Sequence, residues 1–368
     1  MTRKSLLMVA SFVISLLIGA VVARGPSQHD RAPSGSDPRA PVIGLSMDTL
    51  KEARWQADRD YFVARAKELG AGNVLVQSAN GDDATQVRDV QTLLTSGIDV
   101  LVVVAHDGKA MAKAVELAHQ SNVPVIAYDR LILSPDLDLY LSFDNVHVGE
   151  EQARFLVQTL NGRGDIVRIY GGPTDNNARL LKQGQDNVLR PYLESGSIRV
   201  VHEDWAADWK PEEAKKITNA AITKVGTSGI QGVLASNDGT AGGAIQALSE
   251  EGIAGKVIVT GQDAELAACQ RIVNGTQAMT VYKPVRRLAS RAAEMAMRMA
   301  RGQSVVATKV VANAGGVDTP SVLEDVVVVT PANIRDTIIK DGFLTEQQIF
   351  GAATTAPAAP SAPRVTAN

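Results

Sequence analysis

Short apolar runs alternate with amphipathic stretches of helical length through the middle of this chain, and this alternation limits the possible folds more than any other feature. Runs this short and this apolar are typical of strands that are buried on both faces, in parallel sheets covered by helices. The predicted strands are Val42–Ser46, Asn73–Gln77, Val100–Val104, Val125–Tyr128, Ile166–Tyr170, Ile198–His202, Gly232–Ala235, Val257–Thr260, Ala278–Tyr282 and Val326–Val329.

The stretches between the strands have helical periodicity, and several end at a glycine, which favours the end of a helix. The clearest predicted helices are Arg54–Leu69, Gln86–Ser96, Met111–Ser121 and Ala241–Glu251, with stops at Gly70, Gly97 and Gly252. Ten strands would make too wide a sheet for one domain, so we expect two α/β lobes. The first break between them is predicted at Tyr140–Asn145.

Both ends of the chain differ in composition from the predicted core. Arg3 and Lys4 precede an apolar run from Leu6 to Ala23, which predicts a signal peptide over residues 1–23; an uncleaved membrane anchor is the alternative. Residues 24–40 are rich in Pro, Ser, Gly and charge and indicate a linker. Residues 351–368 are mostly Ala, Thr, Pro and Ser and indicate a disordered tail.

Composition excludes several classes of function. The formal net charge is −3, and no basic run with interleaved aromatic residues occurs, so we expect no nucleic-acid partner. Cys269 is the single cysteine and the five histidines are scattered, so we expect no metal site. No GxGxxG turn follows the first strand, which argues against a nucleotide-dependent dehydrogenase, and we expect no cofactor and no enzyme activity.

Polar, charged and tryptophan residues gather after the predicted strands. Ligands of parallel α/β sheets bind beyond the carboxyl ends of the strands, so these residues are expected at one edge of both sheets. The set comprises Asp48, Arg54, Trp55, Asp129, Arg130, Asp175, Asn177, Trp205, Trp209, Asn237, Asp238, Gln262, Asp263 and Lys283.

These residue types suit a small neutral polyol. An indole face can cover the C–H face of a sugar ring, while carboxylates accept hydrogen bonds from hydroxyls and Arg, Lys and Asn donate to them. Arg54, Arg130 and Lys283 supply three positive charges, and Asp129, Asp175 and Asp263 supply three negative ones. We expect such a balanced set to pair internally around a neutral ligand, whereas a phosphorylated ligand would favour excess positive charge.

Each of these residues also has a simpler interpretation. Asn237 or Asp238 could be a helix N-cap, and Trp205 could be a packing residue. Asp129 and Arg130 could form a surface ion pair of little energetic value. Gly171-Gly172 is not followed by Lys-Ser/Thr, so a phosphate-binding P-loop is excluded.

The chain resembles the ribose/galactose-type periplasmic sugar-binding proteins of ABC importers over about Val42–Phe343. The matching stretches are RWQADRD (54–60), VQSANG (76–81), AYDR (127–130), SFDN (142–145), DNNA (175–178), ASND (235–238), AGGAIQALS (241–249), TGQDA (260–264) and MTVYKP (279–284).

The resemblance implies a periplasmic binding protein type I fold, with two doubly wound parallel-sheet lobes joined by a three-crossover hinge. It places residues 41–144 and 284–320 in the N-terminal lobe and residues 145–283 and 321–350 in the C-terminal lobe. The crossovers are then expected near Phe143–Asn145, Tyr282–Pro284 and Thr319–Leu323.

The resemblance also implies the binding site. Arg54, Asp129 and Arg130 would come from the first lobe, and Lys283 from a crossover. Trp209 would stack on the sugar, with Trp55 facing it from the other lobe. The second lobe would supply the rest of the site, namely Asp175, Asn177, Asn237 and Asp263.

The implied function is that of an exported receptor in the periplasm that closes around a neutral aldopentose and delivers it to an ABC permease. The likeness alone favours D-xylose; another monosaccharide is the alternative. A further role as sugar receptor for a chemoreceptor or sensor kinase stays open. A sugar-responsive transcription regulator would need a helix-turn-helix where the signal-like segment lies.

Overall fold

The strands sort into two parallel sheets and one small antiparallel sheet in a computed structural model that describes residues 40–351. In chain order they are β1 Val42–Met47, β2 Asn73–Ser78, β3 Val100–Val103, β4 Val125–Tyr128, β5 Leu139–Phe143, β6 Gly164–Tyr170, β7 Ile198–Trp205, β8 Gly232–Ala235, β9 Ile258–Val259, β10 Thr280–Tyr282, β11 Lys309–Ala312, β12 Asp318–Glu324 and β13 Val327–Val329.

The α-helices lie mostly between consecutive parallel strands, as the sequence predicts. They are α1 Ala53–Glu68, α2 Asp83–Thr95, α3 Ala112–Gln120, α4 Asn145–Thr159, α5 Asn176–Glu194, α6 Pro211–Val225, α7 Asp238–Glu250, α8 Leu266–Val273, α9 Val285–Ala300 and α10 Glu346–Phe350. The predicted stops Gly70, Gly97 and Gly252 all have positive φ and directly follow the ends of helices, so these predictions are confirmed.

The order of strands in the first sheet is β11-β12-β5-β4-β3-β1-β2, and only β11 runs antiparallel to its neighbour. The second sheet has the order β7-β6-β8-β9 and is fully parallel. In each sheet the first strand along the chain lies between the next two, β1 between β2 and β3 and β6 between β7 and β8. This doubly wound arrangement creates a switch point between β1 and β3 and another between β6 and β8.

Helices cover both faces of the first sheet. Side chains alternate along β3, so that Val100 and Val102 pack with Phe62 of α1 and Leu288 of α9. The intervening residues of β3 pack on the opposite face against α2 and α3. Because neither face meets solvent, the central strands are apolar throughout, which explains the short uninterrupted runs in the sequence.

The second sheet is covered in the same way. Ile217 of α6 and Leu248 of α7 pack on one face, and Leu156 of α4 and Leu189 of α5 pack on the other. The two sheets therefore have separate cores. The predicted architecture of two doubly wound α/β lobes is confirmed.

The strands β5, β11 and β12 were not among the ten predicted ones. The sequence marks β5 only as a short β-like segment, while β11 is largely exposed and β12 contains a proline. Pro320 lies where β12 pairs with β11 alone, and pairing with β5 begins at Ser321. The proline therefore removes no hydrogen-bond donor from the centre of the sheet.

The chain passes between the two sheets three times, after β5, after β10 and after β12. The predicted lobe limits at 144/145 and 283/284 fall at the first two passages. Since β12 remains paired in the first sheet to Glu324, the pairing favours a third limit after Glu324 rather than at 320/321. The assignment of residue ranges to lobes stays a prediction.

The predicted signal peptide, the linker up to residue 39 and the tail from residue 352 lie outside the described residues. Within residues 40–351, no helix combines the length and the apolar character that a membrane crossing requires.

Candidate functional site

A cavity of about 690 Å³ lies where the carboxyl ends of the two parallel sheets face each other. All ten residues predicted from the sequence line this cavity: Arg54, Trp55, Asp129, Arg130, Asp175, Asn177, Trp209, Asn237, Asp263 and Lys283. The two switch points open toward it, because Asp48 follows β1, His106 follows β3, Gly172 follows β6 and Asn237 follows β8. Ligands of open α/β sheets usually bind at such switch points, so a ligand site is expected here.

Arg54 contacts more of the charged groups around the cavity than a single ion pair would, because three carboxylates surround its guanidinium. It lies in the first turn of α1, where it donates from Nε to Asp58 (3.3 Å), from Nη1 to Asp263 (3.1 Å) and from Nη2 to Asp129. Burial opposes the charge of Arg54, but the surrounding carboxylates outweigh it and hold the pKa well above its usual value. The guanidinium is therefore a fixed positive charge that joins groups from both sheets.

Asp129 follows β4 and is only 1% exposed. Burial acts to raise its pKa, but the charges of Arg54 and Lys283 outweigh that effect, so the pKa lies below its usual value. Asn177, at the start of α5, donates from Nδ2 to the Oδ1 atom (3.0 Å) and the backbone carbonyl (3.1 Å) of Asp129. Asp129 is therefore an ionised acceptor held in place from both lobes.

Arg130 is the second cation that joins the lobes. It donates from Nη1 to Asp48 (2.6 Å) and to the carbonyl of Ala105 (3.1 Å), while its Nε lies 3.0 Å from Asp175 Oδ2. Asp129 and Arg130 are thus buried, and each pairs with other residues instead of forming a surface ion pair with the other. The interpretation of this dipeptide as a solvated pair is wrong.

Two further carboxylates differ in their response to these cations. Burial raises the pKa of Asp175 in spite of the charge of Arg130. For Asp48, burial also acts to raise the pKa, but the hydrogen bond from His106 and the charge of Arg130 outweigh it, so the pKa is lowered. His106 Nδ1 lies 2.9 Å from Asp48 Oδ1.

Lys283 lies at the second passage between the lobes, directly after β10, and is 2% exposed. Its ammonium is 3.6 Å from Asp263 Oδ1. Burial lowers the pKa of Lys283, and the charge of Asp263 opposes this only in part. Lys283 therefore provides a buried donor that is less tightly paired than either arginine.

The three tryptophans have different surroundings. The ring of Trp209 lies against the backbone of Gly171, and its Nε1 donates to Asp175 Oδ2 (3.2 Å). Trp55 lies under the guanidinium groups of Arg54 (4.3 Å) and Arg130 (5.3 Å), so its face is shared with cations.

Trp205 does not line the cavity. It is half-buried, and its ring packs against Tyr170 with 4.9 Å between centroids, which matches the interpretation of Trp205 as a packing residue.

The backbone around the cavity is locally strained. Of the eight non-glycine residues with positive φ in residues 40–351, five line the cavity: Asn80, Asp129, Asp208, Trp209 and Asp263. Such conformations cost free energy and persist where the surrounding structure over-determines them, which is common at binding sites. Asp129, directly after β4, and Asp263, directly after Gln262, both have this left-handed backbone. The carboxylates of both residues contact Arg54.

Asn237 caps α7 and lines the cavity at the same time. Its side chain accepts a hydrogen bond from the backbone N–H of Thr240 (2.9 Å), and the Thr240 hydroxyl completes a capping box. Capping and lining the cavity are therefore not alternatives at this position. Asp238, by contrast, is fully buried within α7 and does not line the cavity.

Sequence reasoning left several lining residues out of the predicted site, namely Asp48, His106, Gln262 and Glu265. Asp48 and Gln262 were recognised as residues that follow a strand but were not assigned to the pocket. His106 follows β3, and the same rule would have found it. The expected balance of three charges against three is thus too simple, since the ionised carboxylate of Asp48 adds negative charge.

Within residues 40–351, no cluster of His, Cys, Asp and Glu side chains could hold a metal ion.

Comparison with known proteins gives one consistent result. The model of the periplasmic binding protein domain family matches residues 43–304. The chain is 44% identical over 334 residues to the D-xylose-binding periplasmic protein of Haemophilus influenzae, covering 91% of this chain and 97% of that one. It is 47% identical over 307 residues to the D-xylose-binding periplasmic protein of Escherichia coli, covering 83% and 92%.

Solved structures agree with these sequence matches. An ABC transporter solute-binding protein from Clostridium phytofermentans with bound β-D-glucose has a TM-score of 0.78 and 31% identity, covering 84% of this chain and 99% of that one.

Proposed function

The chain belongs to the periplasmic binding protein family, and on this premise we propose that it is an exported, non-enzymatic receptor that captures D-xylose between its two lobes. The observation that carries the proposal is the cavity between the sheets. It is lined by buried, charge-paired donors and acceptors together with Trp55 and Trp209.

The cavity suits a neutral polyol in size and in chemistry. Its volume of about 690 Å³ lies within the range of about 300–1,000 Å³ that is usual for small-molecule sites. The cations Arg54, Arg130 and Lys283 all have carboxylate partners, so an anionic ligand would have to compete for them. Hydroxyl groups can instead donate to the carboxylates and accept from the cations without separating either pair.

D-xylose is supported by the two relatives whose names state that sugar. The cavity residues alone define a class of ligand, since pentoses and hexoses differ by one hydroxyl configuration or one CH₂OH group. The identity of the sugar therefore rests on the relatives, and its class rests on the cavity.

Binding is coupled to closure of the lobes. A ligand that contacts both lobes favours the closed state, because only that state supplies both sets of contacts. Arg54 to Asp263 and Arg130 to Asp175 already join the lobes, so a sugar would add to an existing network. The closed form would then dock on an ABC permease that moves the sugar across the membrane.

Titration calorimetry of the folded protein with D-xylose, D-ribose, L-arabinose, D-glucose and D-galactose tests the proposal. We expect D-xylose to bind most tightly, with a Kd of about 1 µM or lower, equivalent to about −8 kcal/mol. Failure of every monosaccharide to bind below about 1 mM would contradict a sugar receptor. Tighter binding of another sugar would contradict D-xylose alone.

A further inference from the structure

Gln262 is a lining residue whose side chain has an unmatched polar atom. It is 3% exposed, and its Oε1 atom is buried without a hydrogen-bond partner in residues 40–351. It lines the cavity, and in the chain it lies between the end of β9 and Asp263. An unsatisfied buried acceptor is costly, so a native structure that contains one needs a reason for it.

The other buried glutamines show that this is not a general feature of the fold. Their amide oxygens all accept a hydrogen bond of 3.0–3.2 Å, and none of these residues lines the cavity. They are Gln86, which accepts from His106; Gln152, which accepts from Gln185; Gln185, which accepts from Arg168; and Gln277, which accepts from Arg271.

The backbone holds Gln262 where it is. Its carbonyl accepts from the backbone N–H of Asp238 (3.0 Å), at the first turn of α7. On either side, Val281 of β10 donates to Gly261 (3.1 Å) and accepts from Asp263 (2.8 Å). The backbone of Gln262 is therefore fixed at the wall of the cavity, and a small backbone shift cannot carry the amide group out to bulk solvent.

The unmatched atom is a neutral acceptor, unlike the other acceptors of the site. The carboxylates of Asp129, Asp175 and Asp263 already accept from arginine, asparagine, lysine or indole N–H groups. An amide oxygen repels anions and accepts hydrogen bonds without carrying a net charge. Its natural partner is the hydroxyl group of a neutral ligand.

We propose that Gln262 binds the ligand directly, with its amide oxygen accepting a hydrogen bond from one sugar hydroxyl. The inference rests on the proposed function and adds a residue that selects among sugars. A site built to bond a hydroxyl rejects an analogue that lacks it, because the buried partner is then left unmatched. Gln262 would therefore favour sugars that carry a hydroxyl at one particular ring position.

The test combines a substitution with ligands that lack single hydroxyls. Gln262→Met keeps the length of the side chain and removes its polar atoms. Calorimetry would compare wild type and variant with D-xylose and with its 1-, 2-, 3- and 4-deoxy analogues. Gln270→Met, an exposed glutamine outside the cavity, is the matched control.

We expect Gln262→Met to weaken D-xylose binding about tenfold, or about 1.4 kcal/mol. One deoxy analogue should bind the wild-type protein about tenfold more weakly than D-xylose does. The same analogue should bind the variant as tightly as D-xylose binds the variant. The other three should lose equal factors in both proteins. Gln270→Met should bind every sugar like wild type.

Two results would overturn the inference: unchanged affinity of Gln262→Met, or equal loss for D-xylose and all four analogues, which indicates a structural role. If the methionine variant does not fold, Gln262→Leu is measured in the same way. The proposed function fails separately, when the wild-type protein binds none of the sugars.

Discussion

Arg54 and Asp263 meet across the cavity, with 3.1 Å between Nη1 and Oδ1, although 209 positions separate them in the chain. Arg54 belongs to a helix that packs on the first sheet, and Asp263 follows the last parallel strand of the second. The ion pair therefore reports on the relative position of the two lobes. Since both side chains are at least nine-tenths buried, solvent screens it little.

Asp263→Asn is predicted to weaken sugar binding at least tenfold, about 1.4 kcal/mol or more. The substitution keeps the shape of the side chain but leaves Lys283 without its nearest carboxylate and removes one of the three partners of Arg54. Calorimetry with the tightest-binding sugar measures the effect. Asp60→Asn, at an exposed residue that pairs with Arg59 and does not line the cavity, should bind like wild type. Unchanged affinity in Asp263→Asn would remove Asp263 from the site.

Glu265→Gln is predicted to change the dependence of stability on pH. Burial and the charge of Asp263 raise the pKa of Glu265 to about 7, from a usual value of 4.5. Between these values the folded protein binds a proton that the unfolded chain does not. Stability therefore falls as the pH rises from about 4.5 to about 7, and the full penalty is present above pH 7.

The variant lacks this ionisable group, so it should be more stable than wild type at pH 8, by about 2 kcal/mol after allowing for solvent screening. Near pH 4 the two proteins should be equally stable. Urea unfolding at both pH values measures the difference. A gain of equal size at pH 4 and pH 8 would show that the effect does not come from ionisation.

Gly171→Ala is predicted to displace Trp209 and weaken sugar binding. A Cβ atom at residue 171 would lie 2.1 Å from the indole ring, so the ring has to move away from its hydrogen bond with Asp175. The expected loss is at least tenfold in affinity, with a shift in tryptophan emission. Gly239→Ala is the control, because its Cβ would make only ordinary contacts of 3.6 Å or longer. Wild-type affinity in Gly171→Ala would contradict a direct role for Trp209.

Gly184→Ala is predicted to destabilise the second lobe by more than about 2 kcal/mol. The added Cβ would lie 1.9 Å from the carbonyl oxygen of Val146, and the backbone of α4 cannot yield as a flexible side chain could. Gly239→Ala, in the first turn of α7, should instead leave the stability unchanged or raise it by less than about 1 kcal/mol, since alanine favours helix. Urea unfolding monitored by circular dichroism compares the two. Equal stability of Gly184→Ala and wild type would mean that α4 and α5 can move apart freely.

Two kinds of information lead from the sequence to the site. Parallel strands deliver their carboxyl ends to a common edge, which gathers the candidate residues, and the family resemblance implies the ten of them that were assigned to the site. The residues at that edge can be predicted from the end of each strand separately. Their ion-pair partners cannot be predicted in this way, because they depend on how the two lobes meet. Asp129 and Arg130 are neighbours in sequence, yet the structure pairs Asp129 with Arg54 and Arg130 with Asp48 and Asp175.

The β11–β12 pair illustrates a second limit. Exposed Val310 and the proline of β12 carry no signal of a buried strand, and their place at the sheet edge follows from pairing with β5. Likewise, nothing local distinguishes Gln262 from Gln277. Only the fold shows that the amide oxygen of Gln277 accepts a hydrogen bond and that the amide oxygen of Gln262 does not.

The left-handed backbone at Asp129, Asp208, Trp209 and Asp263 has a consequence for evolution and engineering. Selection for heat resistance alone would favour glycine or asparagine at these positions, because both adopt positive φ more readily. Such replacements would remove the side chains that face the cavity. Thermal robustness and recognition thus make opposing demands on the same few residues, and a screen for one would select against the other.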